Sequence, residues 1–361
     1  METKLDKARR IINEVDAKMA ELFVQRMKAA ETVAEYKKER GLGILDAARE
    51  KEVIARNAAM ISDEKLREYY ISFLKDTMAV SRAYQARLMN GMRIAYAGVE
   101  GAFAHIAAEK LYPYAEKVSY KDFASAYKAV EAGECDVCVL PVENSYNGEV
   151  GQVTDLMFSG TLYVNEMLEL AVTQDLLGIP GASLSDIKTV ISHPQALGQC
   201  AAYIKARGFD EIEAVNTAVA AKRVADENDK TKAAIASAEA AELYGLSVLD
   251  HDINESRSNT TRFAAFSRVA NSKAGASGVH SIMLFTVRNE AGALAKAIDV
   301  IGSRGFNMRT LRSRPMKDLL WEYYFYVEAE GDIQTEEGLS MMEELGEFCY
   351  RLKFAGTYIK V

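Results

Sequence analysis

Between residues 4 and about 90 the chain has no proline, and Ile12, Val15, Met19, Leu22, Ala29 and Val33 fall at the three- and four-residue spacings of one helical face. That stripe has the character of a coiled-coil seam. The pattern predicts a first helix from about 4 to 38, broken by GLG at 41–43, and a second that Asp46 caps and that runs to about 61. A third starts at SDEK, residues 62–65, and reaches about 89. The first helix would be about 50 Å long at the usual rise. Two shorter helices of the same chain are too short to cover it, so the seam calls for a second copy.

From Met92 the period changes. Short apolar runs alternate with amphipathic helices: RIAYAG then AFAHIAAEKL, DVCVLP then EVGQVTDLM, KTVISH then PQALGQCAAYIKA. Such alternation predicts an α/β domain with a largely parallel sheet. The small residues of NSKAGASG at 271–278 read as a linker. Beyond them SIMLFTV, AGALAKAIDVIGSRG, MRTLRSRP, LWEYYFYVEAEG, EEGLSMMEELGEF and FAGTYIKV spell βαββαβ, the ferredoxin-like order. The expected domains are 1–90, 92–270 and 279–361.

Composition narrows the function. A length of 361 residues, 49% of them hydrophobic, suits two or three domains with cores of their own. No apolar run approaches the roughly 20 residues of a membrane span, so a soluble cytoplasmic protein with no membrane partner is expected. A net charge of −8 without a basic stripe argues against nucleic acid. Cys135 and Cys138 have C-x-x-C spacing but no second ligand pair, and Cys138 lies in an apolar run, so buried thiols are expected rather than a metal or redox site. AGVEGAF at 97–103 lacks the G-x-G-x-x-G dinucleotide fingerprint.

Candidate chemistry begins inside the helical seam, where Arg26 shares a heptad position with Ile12, Met19 and Val33. An unpaired guanidinium there is costly, so an anion should meet it. Lys37, eleven residues on, lies on the same face, and Arg9 lies about 100° away, better placed for a site built mainly by a partner chain. Asp46 with Glu50, and Ser81 with Gln85, are i,i+4 pairs. Two arginines and a lysine on a long helix, D-x-x-R-E on the second and S-x-x-x-Q on the third make the segment resemble the all-helical chorismate mutases, interlocked dimers of three-helix chains. The resemblance implies that Arg9 of one chain and Arg26 of the other hold the carboxylates of chorismate. Lys37 and Gln85 would donate to the ether oxygen and Glu50 accept from the ring hydroxyl, with Asp46, Arg49 and Ser81 in support. A Claisen rearrangement needs no nucleophile and no proton transfer, only a held conformer and stabilised charge on the breaking ether oxygen.

In the α/β segment, Glu143, Asn144 and Ser145 follow an apolar run and precede a helix, and Ser192 before His193-Pro194 reads as a helix N-cap. Free N–H groups at helix starts attract carboxylates. G-x-x-G-A-F-A-H, P-V-E-N-S-x-x-G-x-V, S-H-P-Q-A-L-x-Q-C and N-x-T-R-F, in that order over 93–268, make the segment similar to the prephenate dehydratases. That family implies two α/β lobes like a periplasmic binding protein, with the site in the cleft. Thr261 would donate a proton to the departing ring hydroxyl, and Glu143, Asn144, Ser145, Ser192 and Gln199 would bind prephenate. Arg262 would meet a carboxylate or only buttress its strand, and His193 is expected to be a structural helix-start residue rather than a second proton donor.

The C-terminal unit resembles an ACT domain, a module that binds amino acids between paired subunits. Related dehydratases bind phenylalanine through G-A-L and E-S-R-P motifs. The first is intact here as Gly292-Ala293-Leu294; the second reads Arg312-Ser313-Arg314-Pro315, with a guanidinium where a carboxylate is usual. The reading is a bifunctional enzyme, homodimeric or larger, converting chorismate to prephenate and then to phenylpyruvate without metal or organic cofactor, with phenylalanine as effector. Its rivals are a dehydratase acting on arogenate and a non-catalytic protein that binds a small acid. A purely structural, dimer-forming C-terminal module is the alternative to an effector site.

Overall fold

The computed structural model describes residues 3–255, 259–271, 276–316 and 322–360. Its contacts divide the chain into two compact units, residues 1–93 with 132–136, and residues 94–131 with 137–361. Residues 272–275 of the expected linker lie outside the described residues.

The first unit contains α1 (Lys4–Glu39), α2 (Ala47–Ala58) and α3 (Glu64–Asn90). A capping box between Thr3 and Asp6 opens α1, Asp46 caps α2 by accepting from Arg49 N at 2.9 Å, and Asp63 caps α3. The second helix stops three residues short of the expected end. Met60 and Ile61 N–H fold back onto the carbonyls of Asn57 and Ala58 in three-residue turns, which close the helix before the apolar pattern ends. Of the α1 side chains only Ala30 and Ala34 are buried; Ile12, Val15 and Leu22 are 56%, 47% and 61% exposed.

The second unit begins with β1 (Arg93–Ala97), α4 (Phe103–Leu111), β2 (Glu116–Tyr120), α5 (Phe123–Glu131), β3 (Val137–Asn144), β4 (Gly148–Glu149), α6 (Gly151–Ser159) and β5 (Tyr163–Ala171). The chain then crosses to a second lobe of β6 (Asp175–Gly178), β7 (Thr189–Ser192), α7 (Pro194–Gln199), α8 (Ala201–Arg207), β8 (Asp210–Glu213), α9 (Thr217–Glu227), β9 (Lys232–Ala236), α10 (Ala238–Tyr244) and β10 (Ser247–Asp250). It returns to the first lobe in β11 (Thr260–Ser267). The second lobe's sheet runs β10-β6-β9-β7-β8. Consecutive residues of its central strands serve opposite cores: Leu176, Val190 and Ile235 on one face, Leu177, Ile191 and Ala236 on the other. Helices cover both faces, which is why these strands read as unbroken apolar runs.

The chain continues with β12 (Val279–Val287), α11 (Ala293–Ser303), β13 (Met308–Pro315), β14 (Tyr323–Glu330), α12 (Glu336–Gly346) and β15 (Cys349–Ile359). Met283, Phe285 and Val327 of this sheet pack with Ala297, Ile301, Met341 and Leu345 of α11 and α12. Among the described residues its strands join those of the first lobe in the order β13-β14-β12-β15-β5-β11-β3-β1-β2, with β4 paired to β3. The junction is the parallel contact of Gly356 with Val164. Gly356 has φ 132°, and a Cβ there would run into the Val164 backbone, so glycine is what lets the strands meet.

Candidate functional sites

Three helices build one cavity of about 190 Å³ in the first unit, lined by Arg26, Lys37, Asp46, Arg49, Glu50, Ser81 and Gln85 together with Arg82, Ile44 and apolar side chains. Helical spacing explains the convergence. Arg26 and Lys37 share a face of α1, α2 presents Arg49 and Glu50 one turn after its Asp46 cap, and α3 presents Ser81 and Gln85 four residues apart. Ser81 and Gln85 are buried, at 5% and 8% exposure. Arg26 donates to Ser81 Oγ and to Thr77 O at 3.4 Å, and burial draws its pKa below the ordinary value. Lys37 Nζ donates to Ile44 O and lies 3.5 Å from Gln85 Oε1. Glu50 is paired with Arg82, a cavity residue that sequence reasoning passed over although it directly follows Ser81. Arg9 does not line this cavity and is exposed.

In the second unit a cavity of about 470 Å³ lies between the two α/β lobes, where the chain crosses at residues 172–174 and again before β11. Asn144, Gln199 and Thr261 line it, as do Glu149, Gln174, His193, Gln195, Asn216, Thr217 and Asn259. Asn144 organises one wall. Its Oδ1 accepts from the backbone N–H groups of Tyr146 at 3.0 Å and Asn147 at 2.9 Å, which fixes the amide's orientation. Its Nδ2 is then left to donate to Thr261 Oγ1 at 2.9 Å and Asn259 Oδ1 at 2.8 Å. Because Thr261 Oγ1 accepts from Asn144, its own proton is available for another acceptor.

No arginine or lysine is among the described residues lining this cavity. Positive potential comes instead from helix starts: Phe103 opens α4, Phe123 opens α5, Val150 caps α6 and Asn216 caps α9, and all four line the cleft. Ala102 and Val150, the caps of α4 and α6, offer no side-chain bond of their own to the first N–H groups. Each helix start carries about half a positive charge, so their convergence suits a carboxylate.

The remaining expected residues lie elsewhere. Ser192 is fully buried as the last residue of β7 and donates to Ile235 O at 2.6 Å; it does not cap α7. His193 does, its Nδ1 accepting from Gln195 N at 3.2 Å with Pro194 in the first turn. The shift by one residue follows from β7, which needs the Ser192 backbone as strand. Ser145 Oγ accepts from Thr260 N at 2.9 Å and fastens the turn after β3. Glu143 and Arg262 are neighbours of Asn144 and Thr261 in paired strands, so the two-residue period sends them to the opposite face. There Arg262 bonds Glu328 and Tyr358, and Glu143 pairs with Arg262 and Arg312. Cys135 and Cys138 are buried.

In the C-terminal part, Gly292 takes a left-handed conformation, φ 86°, before α11, Ala293 is buried and Leu294 packs on the core beneath the helices. Ser313 is exposed, and Arg314 bonds Asp155 at 3.1 Å and Tyr324, and lies 3.5 Å from Glu149. Pro315 lines a separate cavity of about 440 Å³ with α6, Tyr324 and Arg351, to which Gly292, Ala293 and Leu294 do not contribute.

Comparison with known proteins covers both units. The family model for chorismate mutase type II matches residues 8–86, and that for prephenate dehydratase matches 94–271. A bifunctional chorismate mutase/prephenate dehydratase of Neisseria gonorrhoeae is 32% identical, over 97% of this chain and 95% of that protein. An arogenate dehydratase/prephenate dehydratase 2 of Arabidopsis thaliana is also 32% identical, over 87% of this chain and 86% of that one. The crystal structure of a prephenate dehydratase from Arthrobacter aurescens in complex with L-Phe superposes with a TM-score of 0.68 at 27% identity, covering 74% of this chain and 90% of that chain. In order along the chain, an all-helical isomerase family precedes an α/β lyase family. The chain belongs to the bifunctional chorismate mutase/prephenate dehydratases, and carries both activities of phenylalanine biosynthesis: chorismate to prephenate, and prephenate to phenylpyruvate.

Proposed function

We propose that the helical cavity performs the rearrangement and the interlobe cleft performs the decarboxylation and dehydration. The observation that carries the first assignment is the convergence of Arg26, Lys37, Asp46, Arg49, Glu50, Ser81 and Gln85 on one cavity. Arg26 holds a carboxylate of chorismate, Lys37 and Gln85 donate to the ether oxygen, Glu50 accepts from the ring hydroxyl, and Asp46, Arg49 and Ser81 hold these groups in place. Arg9 completes the site of a partner chain. The exposed apolar stripe of α1 supports that homodimer: among the described residues Ile12, Val15 and Leu22 remain about half or more exposed.

In the cleft, Asn144 orients Thr261, and Thr261 gives its proton to the departing hydroxyl. Electrons of the broken carbon–carboxylate bond enter the ring, the carbon–oxygen bond breaks, carbon dioxide and water leave, and the threonine regains a proton from solvent. Gln199 and the helix starts take the carboxylates. Ser192, Ser145, Glu143 and Arg262 support these groups from behind, and the two lobes work in the manner of a periplasmic binding protein. The fold from 279 to 361, with strand order β13-β14-β12-β15 and both helices on one face, supports a ferredoxin-like ACT module. The L-Phe complex of the Arthrobacter protein supports phenylalanine as its effector, through Gly292-Ala293-Leu294 and Ser313-Arg314-Pro315. Domains at 1–90, 92–270 and 279–361 and a cytoplasmic location complete the reading; no described helix is long and apolar enough to cross a membrane.

The name of the Arabidopsis relative favours one second reading, arogenate as an alternative dehydratase substrate. Incubating the purified protein with chorismate at neutral pH and following products by chromatography tests both. Phenylpyruvate forming after prephenate is the expected course. Prephenate that accumulates, with arogenate consumed when supplied, would favour the second reading.

A further inference from the structure

The interlobe cleft contains two buried amide atoms that have no hydrogen-bond partner among the described residues, Oε1 of Gln174 and Nδ2 of Asn259. The side chains are 2% and 4% exposed, and both line the cavity. Their aim follows from the two crossovers between lobes. Val172 N donates to Asn259 O at 2.8 Å, so the crossovers run side by side. Gln174 is two residues beyond Val172, and Thr261 two beyond Asn259, so the period of an extended chain brings all four to one face, and all four line the cleft. The Asn259 amide is fixed in direction: its Oδ1 accepts from Asn144, whose own oxygen is held by two backbone N–H groups. Its two N–H donors therefore point away from Asn144.

A donor and an acceptor left unpaired on one wall suit a hydroxyl, which accepts and donates through a single oxygen. A carboxylate would face Gln174 Oε1 as a second acceptor, and an ammonium would leave Asn259 without a partner. We propose that Asn259 Nδ2 and Gln174 Oε1 together hold the ring hydroxyl that departs in the dehydration and present its oxygen to Thr261. The proposal rests on the assignment of that reaction to this cleft. It also separates substrate from product: phenylpyruvate has no ring hydroxyl, so its binding leaves both amides unpaired, and a polar pocket discriminates strongly against a ligand that lacks the matching group.

The test uses the full-length enzyme with Gln174→Met, which keeps the side-chain length and removes the amide. The expected result is a fall in kcat/KM for prephenate on the order of tenfold or more, from the lost hydrogen bond and the exclusion it imposed. The calorimetric dissociation constant for phenylpyruvate should hold or fall, since the substitution removes one of the two amides that this ligand leaves unpaired. The melting temperature should hold or rise because an unpaired buried group is gone, and undiminished chorismate rearrangement reports an intact chain. Parallel losses for prephenate and phenylpyruvate, or no loss for either, would overturn the proposal, and Gln174→Leu repeats the comparison should methionine disturb folding. A third variant, Val215→Trp, places a large ring at a rim position that is 83% exposed. Unaltered dehydratase activity there would show that the reaction lies outside the cleft. Lost activity there, with an unaltered preference in Gln174→Met, would overturn the hydroxyl pair alone.

Discussion

Arg262 meets Glu328 through two parallel hydrogen bonds of 3.0 Å each, joining β11 of the first lobe to β14 of the C-terminal sheet. Glu328 is 2% exposed, and Tyr358 OH donates to the same carboxylate. Burial alone would raise the Glu328 pKa, but the Arg262 bonds outweigh it and hold the carboxyl below its ordinary 4.5. Removing Glu328 takes away the bidentate partner and leaves the buried guanidinium only Glu143 at 3.3 Å and Glu169 at 3.9 Å. Glu328→Ala should cost about 3 kcal/mol in denaturant unfolding. The group's folded pKa is lowered, so its stabilisation is complete above the unfolded value and disappears as pH falls through the folded one. The gap between wild type and Glu328→Gln should therefore narrow below about pH 4.5.

Arg26→Ala removes the cation that Ser81 holds in the helical cavity. Loss of a charge-bearing donor aimed at substrate is worth about 10²-fold to 10³-fold. Chorismate consumption should fall by that amount while supplied prephenate is converted at the wild-type rate. Equal losses in both assays would show that the cavity's role is structural.

Thr261→Ala should lower dehydratase turnover by about 10²-fold or more, with Thr261→Ser retaining a larger share because the hydroxyl remains. Asn144→Asp should also be severe. An aspartate oxygen cannot donate to Thr261 Oγ1 or Asn259 Oδ1, so the orientation of both is lost together. Stopped assays on prephenate at saturating concentration separate this loss of turnover from weaker binding.

Lys353 offers a test at high pH. Its ammonium donates to the carbonyls of Met157 and Gly160 at the end of α6, and burial, reinforced by Arg351, pushes its pKa down from 10.5 to about 8. The folded chain releases this proton before the unfolded chain does, so the penalty for burying the charge is full below pH 8 and fades between 8 and 10.5. Wild type should gain stability relative to Lys353→Met across that window. A constant difference would mean that the lysine titrates normally.

Much of this architecture was legible in the chain because its periodicities are local. The three-helix spacing, the Asp46 cap and the βαββαβ run depend on neighbours within a few residues, and the helical cavity follows from faces that 3.6-residue geometry dictates. The cleft was harder to read. Asn144, Gln199 and Thr261 line it, yet Glu143, Ser145 and Arg262, adjacent in sequence to two of them, do not, because a strand alternates its faces and the motif alone does not say which face is wet. Asn259 was visible as the first residue of NTTRF. Gln174 carried no signal: its significance lies in being buried without a partner, a property of tertiary structure only.

The parallel contact at Gly356 and the Arg262–Glu328 pair bear on how such a chain can be cut and recombined. Residues 271–278 look like a seam between modules, but the adhesion across that seam belongs to a single body. A shortened chain ending before β12 would lose the cover along β5 and the carboxylate that holds Arg262 by two bonds. A boundary drawn from the linker's composition is therefore not a place where the chain can be divided, because β5 and β15 belong to one sheet.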